Sequence, residues 1–600
     1  MVRDGREKRI SGVDIAAFAV CLLLFGYLFY SVGVGIGLSD EHWYFTMPQR
    51  FLQGDRIFVD DWHVTQLSAV VQLLPYRLYT LVAGGTDGVL LFMRRLFVVF
   101  DLFCYWFYYL KLRRYGVAAL AGAALMCSYV HLGAFTFSYT ALPPHFLALA
   151  GTLLVAPEKQ PSPPALTAAG VLLSCAVLCQ PSLAAVFAVF FLLALLRFVL
   201  KRRGGNALSG YDFILGGKVP LYLALTAAVC AGAVVCAVLL KSGLRNILDS
   251  LPEIFSDSEY RFSAAGNTTN AEKLRALPKL FGAFNLVSLC ALIPIAALLR
   301  RSRRFSEASG ALLFPIACAL TLSAYAFELR YYFAHPEETI LILRFATVPL
   351  LPFALICRLL QKQRDRRMFF FWWLGLFASA AVDPISHITL GFGGRLAVFS
   401  AAHSVCALLR EFPGASGKEA VKSKKNPIWR AVSARAALLL VCALLCADGL
   451  NFYAGRSFRY NDRIYAASRS EPLTERLDAG PLKGIRTTES YRRKYGDMLA
   501  DLDTIRTSCT GAVYVAEKNP WFYLYLDLPI GAPTAMFIDG NSTDRVARYW
   551  QTHPDKRPEY VYVQQKLLTE KQLSFLKSVC SFETRNGKAG FLLRIKEWKI

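Results

Sequence analysis

Charge is what this sequence has little of: Asp, Glu, Lys and Arg make up 18% of its 600 residues, against about 25% in a soluble domain. That deficit argues against a soluble enzyme, and the apolar content that accompanies it argues against a disordered chain. A disulfide scaffold is excluded as well. Of fifteen cysteines, all but Cys509 and Cys580 lie in or at the edges of apolar runs, where they read as small core residues. The chain has no phosphate-cradling Gly-rich loop, no nucleophile elbow and no zinc-protease helix motif. Internal repeats of the kind that mark many secondary transporters are also missing.

What the sequence has instead is hydrocarbon, with 55% apolar residues. Runs long enough to cross a bilayer, or nearly so, fall at 12–37, 89–110, 116–135, 141–156, 165–180, 181–200, 219–240, 281–299, 309–327, 340–360, 368–383, 385–409 and 431–450, about thirteen spans in all. The formal charge of +24 would suggest nucleic acid in a soluble protein, but its distribution assigns it otherwise. With the N-terminus inside, the clusters at 111–114, 201–203, 300–304, 358–367 and 418–430 all fall on one side, as cytoplasmic loops should. The basic excess is topological, and no nucleic-acid partner is expected. The fold class expected is a polytopic α-helical membrane protein over 1–452 with a C-terminal extracytoplasmic α/β domain over 453–600. In that second part, strands are expected at 511–517, 533–538, 559–564 and 591–595, and helices at 497–506, 544–553 and 571–579. Cys509 and Cys580 leave a disulfide open there.

The first outer loop, 38–88, is long where the other loops are short. It begins with Asp40, Glu41, His42 and Trp43 and continues to Asp60, Asp61, Trp62 and His63. Two stretches, 44–53 and 65–82, read as interfacial helices roofing a cavity that opens to the outer leaflet. An acidic pair at the end of a span can take a proton from an acceptor hydroxyl or hold a divalent metal (Mg, Mn or Zn), with His42 as a partner; it can also be a solvated loop start. Asp60, Asp61 and His63 are further candidates for substrate contact. Arginines on the same side, Arg94, Arg95, Arg261, Arg330, Arg344 and Arg395, can hold a phosphate, or snorkel to the interface. Asp101, His145, Asp383 and His387 lie in or beside apolar runs.

These motifs, in this order, resemble the GT-C fold glycosyltransferases, most closely the aminoarabinose lipid A transferase and protein O-mannosyltransferase branch. The resemblance rests on Asp40-Glu41 after the first span, Phe51-Leu52-Gln53-Gly54-Asp55, Arg94-Arg95-Leu96, Leu110 to Gly116, Gln180-Pro181-Ser182, and Arg344-Phe345 before Pro349 and Pro352. It implies inverting transfer of a hexosyl or pentosyl unit from a polyprenyl-phosphate donor to an envelope glycan, lipid or protein at the extracytoplasmic face. Asp40 and Glu41 would then be catalytic or metal-binding, and Arg344, Arg94 and Arg330 would bind the donor phosphate. The chain departs from the pattern in lacking a Lys-Pro-Pro-like element after the acidic pair. A flippase for lipid-linked saccharide and a non-catalytic envelope-assembly protein are the alternatives.

Overall fold

The structure is a computed structural model and describes residues 11–36, 39–128, 136–256, 270–301, 306–334, 347–361, 365–382, 391–411, 471–516, 519–536, 542–564 and 569–600. Its first part is helical: α1 Gly12–Ser31, α2 Ser39–Leu52, α3 Ser68–Ala83, α4 Val89–Leu112, α5 Val117–Ser128, α6 Leu142–Val155, α7 Pro163–Cys179, α8 Ala184–Arg202, α9 Asp212–Leu215, α10 Val219–Ser242, α11 Leu244–Phe255, α12 Asn270–Phe281, α13 Ala283–Arg301, α14 Ser306–Ala334, α15 Leu350–Leu360, α16 Arg366–Val382 and α17 Gly391–Glu411. Each apolar run within the described residues falls on one of these helices; the run 431–450 lies outside them. Four stretches, Gly12–Ser31, Pro181–Arg202, Ser209–Ser242 and Leu312–Tyr331, are long and apolar enough to cross a membrane. Leu22, Leu23, Leu192, Leu221 and Leu225 on them are exposed, an arrangement that suits lipid rather than water.

The C-terminal part follows as β1 Glu475–Arg476, β2 Arg486–Thr487, α18 Glu489–Ser508, β3 Ala512–Val515, α19 Trp521–Leu526, α20 Thr543–Thr552, β4 Pro558–Gln564, α21 Glu570–Val579, β5 Cys580–Asn586 and β6 Gly590–Trp598. The main sheet has the order β3-β4-β6-β5, with β3 parallel to β4 and the other pairs antiparallel. The strand expected at 533–538 is absent over its described residues, 533–536. Here the backbone meets the first loop instead: Pro533 O accepts the Trp62 backbone N–H at 2.8 Å, and just before it Ala532 O accepts Arg50 Nη2 at 2.8 Å. The fourth strand is β5, a polar edge strand whose exposed outer residues hide its pattern. Cys509 and Cys580 are free. They sit at β3 and β5, opposite edges of the sheet, about 14 Å apart by strand spacing, beyond the reach of a disulfide.

The helix α4 separates two ends of the molecule. Its first turn meets the C-terminal part, with Gly88 N and Leu90 N donating to Gly480 O and Pro481 O at 2.9 and 3.2 Å. Past its last turn, Arg113 pairs with Asp14 at 2.5 Å and Arg114 with Glu158 at 3.8 Å, about 36 Å away by helical rise. The expected boundary between the two parts, at 452/453, lies outside the described residues. Loop 38–88, placed with the helical part in the sequence, packs on the C-terminal part. Trp43, Tyr44, Phe45, Met47, Trp62 and Tyr76 share one apolar core with Trp521, Phe522, Tyr549 and Trp550, while the helical bundle has its own. The strand-like connector 33–35 also bonds Arg486 in both directions, at 2.8 and 2.9 Å.

Within the loop, α2 and α3 pack together. Helix α3 is amphipathic the wrong way round for water. Ser68, Gln72 and Tyr76, one face at four-residue spacing, are buried, whereas Leu74, Leu78, Leu81 and Val82 on the opposite face are exposed. A lipid boundary is the surrounding that such a helix suits.

Candidate functional site

Three arrangements of polar side chains surround the first loop. The first is a clasp. Arg94, fully buried on α4, donates Nη1 to Val32 O and Gly35 O at 3.1 and 2.8 Å, and Nη2 to Ile36 O at 2.6 Å. Its Nε donates to Glu41 Oε2 at 3.1 Å, and Nη2 completes the ion pair with the same carboxylate. The carbonyls that a helix leaves open at its C-terminus are thereby met, and α1 is tied to α2. Arg94 thus holds the chain in place, with its donors turned to backbone carbonyls and to Glu41. Glu41 is its counter-charge, fully buried, and is not an exposed base.

The second is a closed ionic cluster. Arg50, fully buried on α2, pairs with Asp55 and, at 3.4 Å, with Asp61; it also donates to Asp60 O, Ala532 O and the Tyr549 hydroxyl, the last two at 2.8 and 2.9 Å. The turn that folds Asp55 back on Arg50 runs through Gly54 at φ +111, a conformation that favours glycine. Lys556 pairs with Asp55 from the other side. Asp60 pairs with Arg56 at 2.8 Å and lies 3.8 Å from His553. Burial alone would raise the Asp60 carboxyl, but hydrogen bonds from the Arg56 side chain and backbone hold it below its usual range. Burial does raise Asp61, against the pull of Arg50. Arg545 donates to Trp62 O at 2.7 Å. Asp60 and Asp61, expected to meet substrate, are therefore occupied in joining the loop to the C-terminal part.

The third arrangement is the opposite of the second. Burial first, then Arg94, lowers His42 to about 3, so its ring is neutral. Neither of its ring nitrogens has a hydrogen-bond partner among the described residues. The same holds for Ser68 Oγ, both polar atoms of Gln72, the Tyr76 hydroxyl, Trp43 Nε1 and Gln49 Oε1, all in buried residues. Helices α2 and α3 pack against each other. Trp43 lies against His63, just before α3, with ring centroids 4.3 Å apart. Further along, Gln49 donates to Asp527 at 2.9 Å, and Asp527, after burial, helps raise the Tyr76 hydroxyl. His42 and Gln49 on α2 and Ser68, Gln72 and Tyr76 on α3 thus belong to one packed helix pair. Tyr44 and Tyr139 complete an aromatic wall, the rings of Trp43 and Tyr139 standing 6.2 Å apart. His63, lowered to about 3 by burial and by Arg545, accepts Thr65 N on Nδ1 at 3.2 Å.

Of the remaining expected residues, Asp40 lies in the first turn of α2 with its side chain outside the described residues, and Arg344, Asp383 and His387 fall outside them altogether. Arg330 is exposed near the end of α14, which packs on α12, α13 and α15. Asp101, His145 and Arg395, read separately in the sequence, come together in the bundle. His145 Nε2 is 3.3 Å from Asp101 Oδ1 and 2.7 Å from Arg395 Nη2, and Arg395 also donates to Met126 O. Sequence reading missed Arg50, Arg545 and Tyr549; the one arginine of α2, five residues before Asp55, was the available signal for the first. For a divalent metal, Glu41 is engaged by Arg94, and no group of three or more His, Cys, Asp or Glu gathers among the described residues. This donor set fits a metal poorly.

No protein-family model matches the chain, and no curated protein matches it. Among solved structures it is similar to the oligosaccharyltransferase of Archaeoglobus fulgidus tethered to an acceptor peptide containing the NVT sequon, at 10% identity and a TM-score of 0.45, over 98% of this chain and 74% of that one. The apo form of the same protein matches at 12% identity and a TM-score of 0.42, over 98% and 75%.

Proposed function

We propose that this chain is an integral membrane glycosyltransferase of the GT-C kind. In this reading it transfers a hexosyl or pentosyl unit from a polyprenyl-phosphate donor to an envelope glycan, lipid or protein, at the face where loop 38–88 lies and away from the cytoplasm. The observation that carries it is the set of buried polar atoms without partners on α2 and α3: His42, Ser68, Gln72 and Tyr76 beside the ring of Trp43. Buried polar atoms are nearly always hydrogen-bonded in a folded protein, and leaving one unmet costs about 1–3 kcal/mol. Several on one face beside aromatic rings suit a ligand with many hydroxyls and apolar ring faces, which describes a sugar. The exposed apolar side of α3 suits a donor whose lipid stays in the bilayer.

Asp40, next to the Glu41–Arg94 clasp, takes the role of base for the acceptor hydroxyl, and inversion follows from direct displacement of the lipid phosphate. Arg344 and Arg330 are assigned to charge developing on that phosphate. With Glu41 engaged by Arg94, no step is routed through a metal.

The test uses purified protein in nanodiscs with radiolabelled polyprenyl-phosphate sugars and native membrane acceptor extract. Wild type is expected to give transfer with inversion, Asp40→Asn to lose it, and His42→Ala and Gln72→Ala to raise the donor KM. Transfer unaffected by all three substitutions would remove the site. A second reading, a flippase for lipid-linked saccharide, is favoured by the Asp101–His145–Arg395 group buried in the bundle. Labelled lipid crossing the bilayer without transfer would select it.

A further inference from the structure

The end of the bundle opposite the first loop carries a site of its own. Between α6, α7, α8, α10 and α16 lies a cavity of about 260 Å³, with Leu147, Leu173, Phe190, Leu215, Leu223 and Trp373 among its walls. Its lining brings two polar side-chain groups, the Tyr211 hydroxyl and the Trp373 indole N–H, and these bond each other at 3.1 Å. The indole N–H is spent on the hydroxyl oxygen, which leaves a single O–H donor in an otherwise apolar lining, so the part inside suits hydrocarbon. Helix α8 packs on α16 and α10 on α7, and short α9 joins α8 and α10 at one end. The cavity is thus bounded by helices whose outer faces are apolar and exposed, Leu192 and Leu195 on α8 and Leu221 and Leu225 on α10. Whatever enters between them comes from the bilayer.

At the α9 end the walls change character. Gly210 and Arg366, adjacent to Tyr211 and one turn before Phe370, line a polar recess of about 540 Å³ together with Arg114, Tyr115, Glu158, Asp365 and Arg367. Three arginines meet two carboxylates there. Arg114 is 3.8 Å from Glu158 and donates to the Tyr115 hydroxyl at 2.8 Å; Asp365 is 3.9 Å from His403; Arg367 donates to Glu158 O at 2.5 Å and to Pro157 O, and lies over Phe213. Arg366 is exposed, rests against Gly210, and has no ion pair or hydrogen bond among the described residues. A planar guanidinium with free donors matches a phosphate diester.

We propose that this apolar cavity and its arginine mouth form a binding site for an anionic phospholipid of the adjoining leaflet, one acyl chain between α8 and α10 and the phosphate at Arg366. This leaflet is opposite the glycosyl-transfer site, so the lipid is neither donor nor acceptor there. The proposal stands whether or not the chain transfers sugar.

The full chain is reconstituted in nanodiscs of mixed phosphatidylglycerol and phosphatidylcholine, each in turn carrying a photoactivatable acyl tail, and labelled peptides are mapped. Tail labelling is expected on α8 and α10, at least fivefold stronger from phosphatidylglycerol. Leu215→Trp, which fills the cavity, is expected to abolish it. Arg366→Gln, a surface change that leaves the fold intact, is expected to bring the two lipids within twofold. Labelling that ignores both substitutions, or that shows no preference for phosphatidylglycerol in wild type, overturns the site. Displacement of the label by polyprenyl phosphate but not by excess phosphatidylglycerol overturns the choice of lipid.

Discussion

Two sets of buried polar side chains share the first loop, a few residues apart, and they are built on opposite terms. Around Arg50 each charge meets another: Asp55 and Asp61 flank the guanidinium, Lys556 meets Asp55 from behind, and carbonyls take the remaining donors. On α2 and α3, His42, Ser68, Gln72 and Tyr76 leave their side-chain polar atoms without hydrogen-bond partners among the described residues. Both sets are out of water, so the difference is not exposure. A closed network holds a loop on a scaffold and gains nothing from a ligand; an open one is costly until a ligand arrives. That contrast turns the candidate site away from the conspicuous acidic pairs and toward His42, Ser68, Gln72 and Tyr76.

The largest effect expected is from breaking the closed side. Arg50→Met leaves Asp55 and Asp61 facing one another in the interior, and removing one partner of a buried ion pair costs about 3–5 kcal/mol. Thermal unfolding in detergent, followed by tryptophan fluorescence, should show a marked fall, and a second change, Asp61→Asn, should recover part of it. An unchanged melting temperature in Arg50→Met would mean that the cluster does not hold the loop.

An intermediate effect is expected from pH, because two buried histidines of the first loop are kept neutral. His42 and His63 are lowered to about 3 by burial, against about 6.5 in an unfolded chain. The unfolded state therefore binds more protons below pH 6.5. Stability is fully present above that value and declines as pH falls toward the folded value, by roughly 2 kcal/mol per histidine at pH 5. Unfolding at pH 7 and pH 5 measures the loss, and His63→Asn should reduce it; a flat profile between those pH values would show that the two rings are not held neutral.

The smallest effect has the opposite sign and sharpens the contrast. Tyr76→Phe removes a buried hydroxyl that has no partner, so the empty protein should gain about 1 kcal/mol of stability while the donor KM rises roughly threefold to tenfold. Loss of stability together with unchanged KM would assign Tyr76 to packing alone.

Much of the helical part was legible because an apolar run reports its own fate: hydrocarbon seeks hydrocarbon whatever it packs against, and each described run lies on a helix. The C-terminal strands β3, β4 and β6 were legible from alternation and β-branched residues, whereas β5, with the sequence CSFETRN, was not. Its only assets are partners on β6. Segment 533–536 erred in the other direction: Pro533 O is taken by the Trp62 backbone N–H, and Ala532 O just before it by Arg50, in place of sheet partners.

The candidate site divides the same way. Sequence alone located helices long and apolar enough to cross a membrane, the basic clusters between apolar runs, and the long loop 38–88 with its acidic, histidine and aromatic residues. These are sums over local composition. Only the tertiary structure decided which polar residues are committed and which are open, because commitment depends on partners far along the chain. Arg50 meets Ala532 and Tyr549 across 482 and 499 positions, and Arg94 meets Glu41 across 53. No periodicity encodes such pairs. They exist because burial in a medium of low dielectric leaves a charge no stable arrangement except beside its opposite.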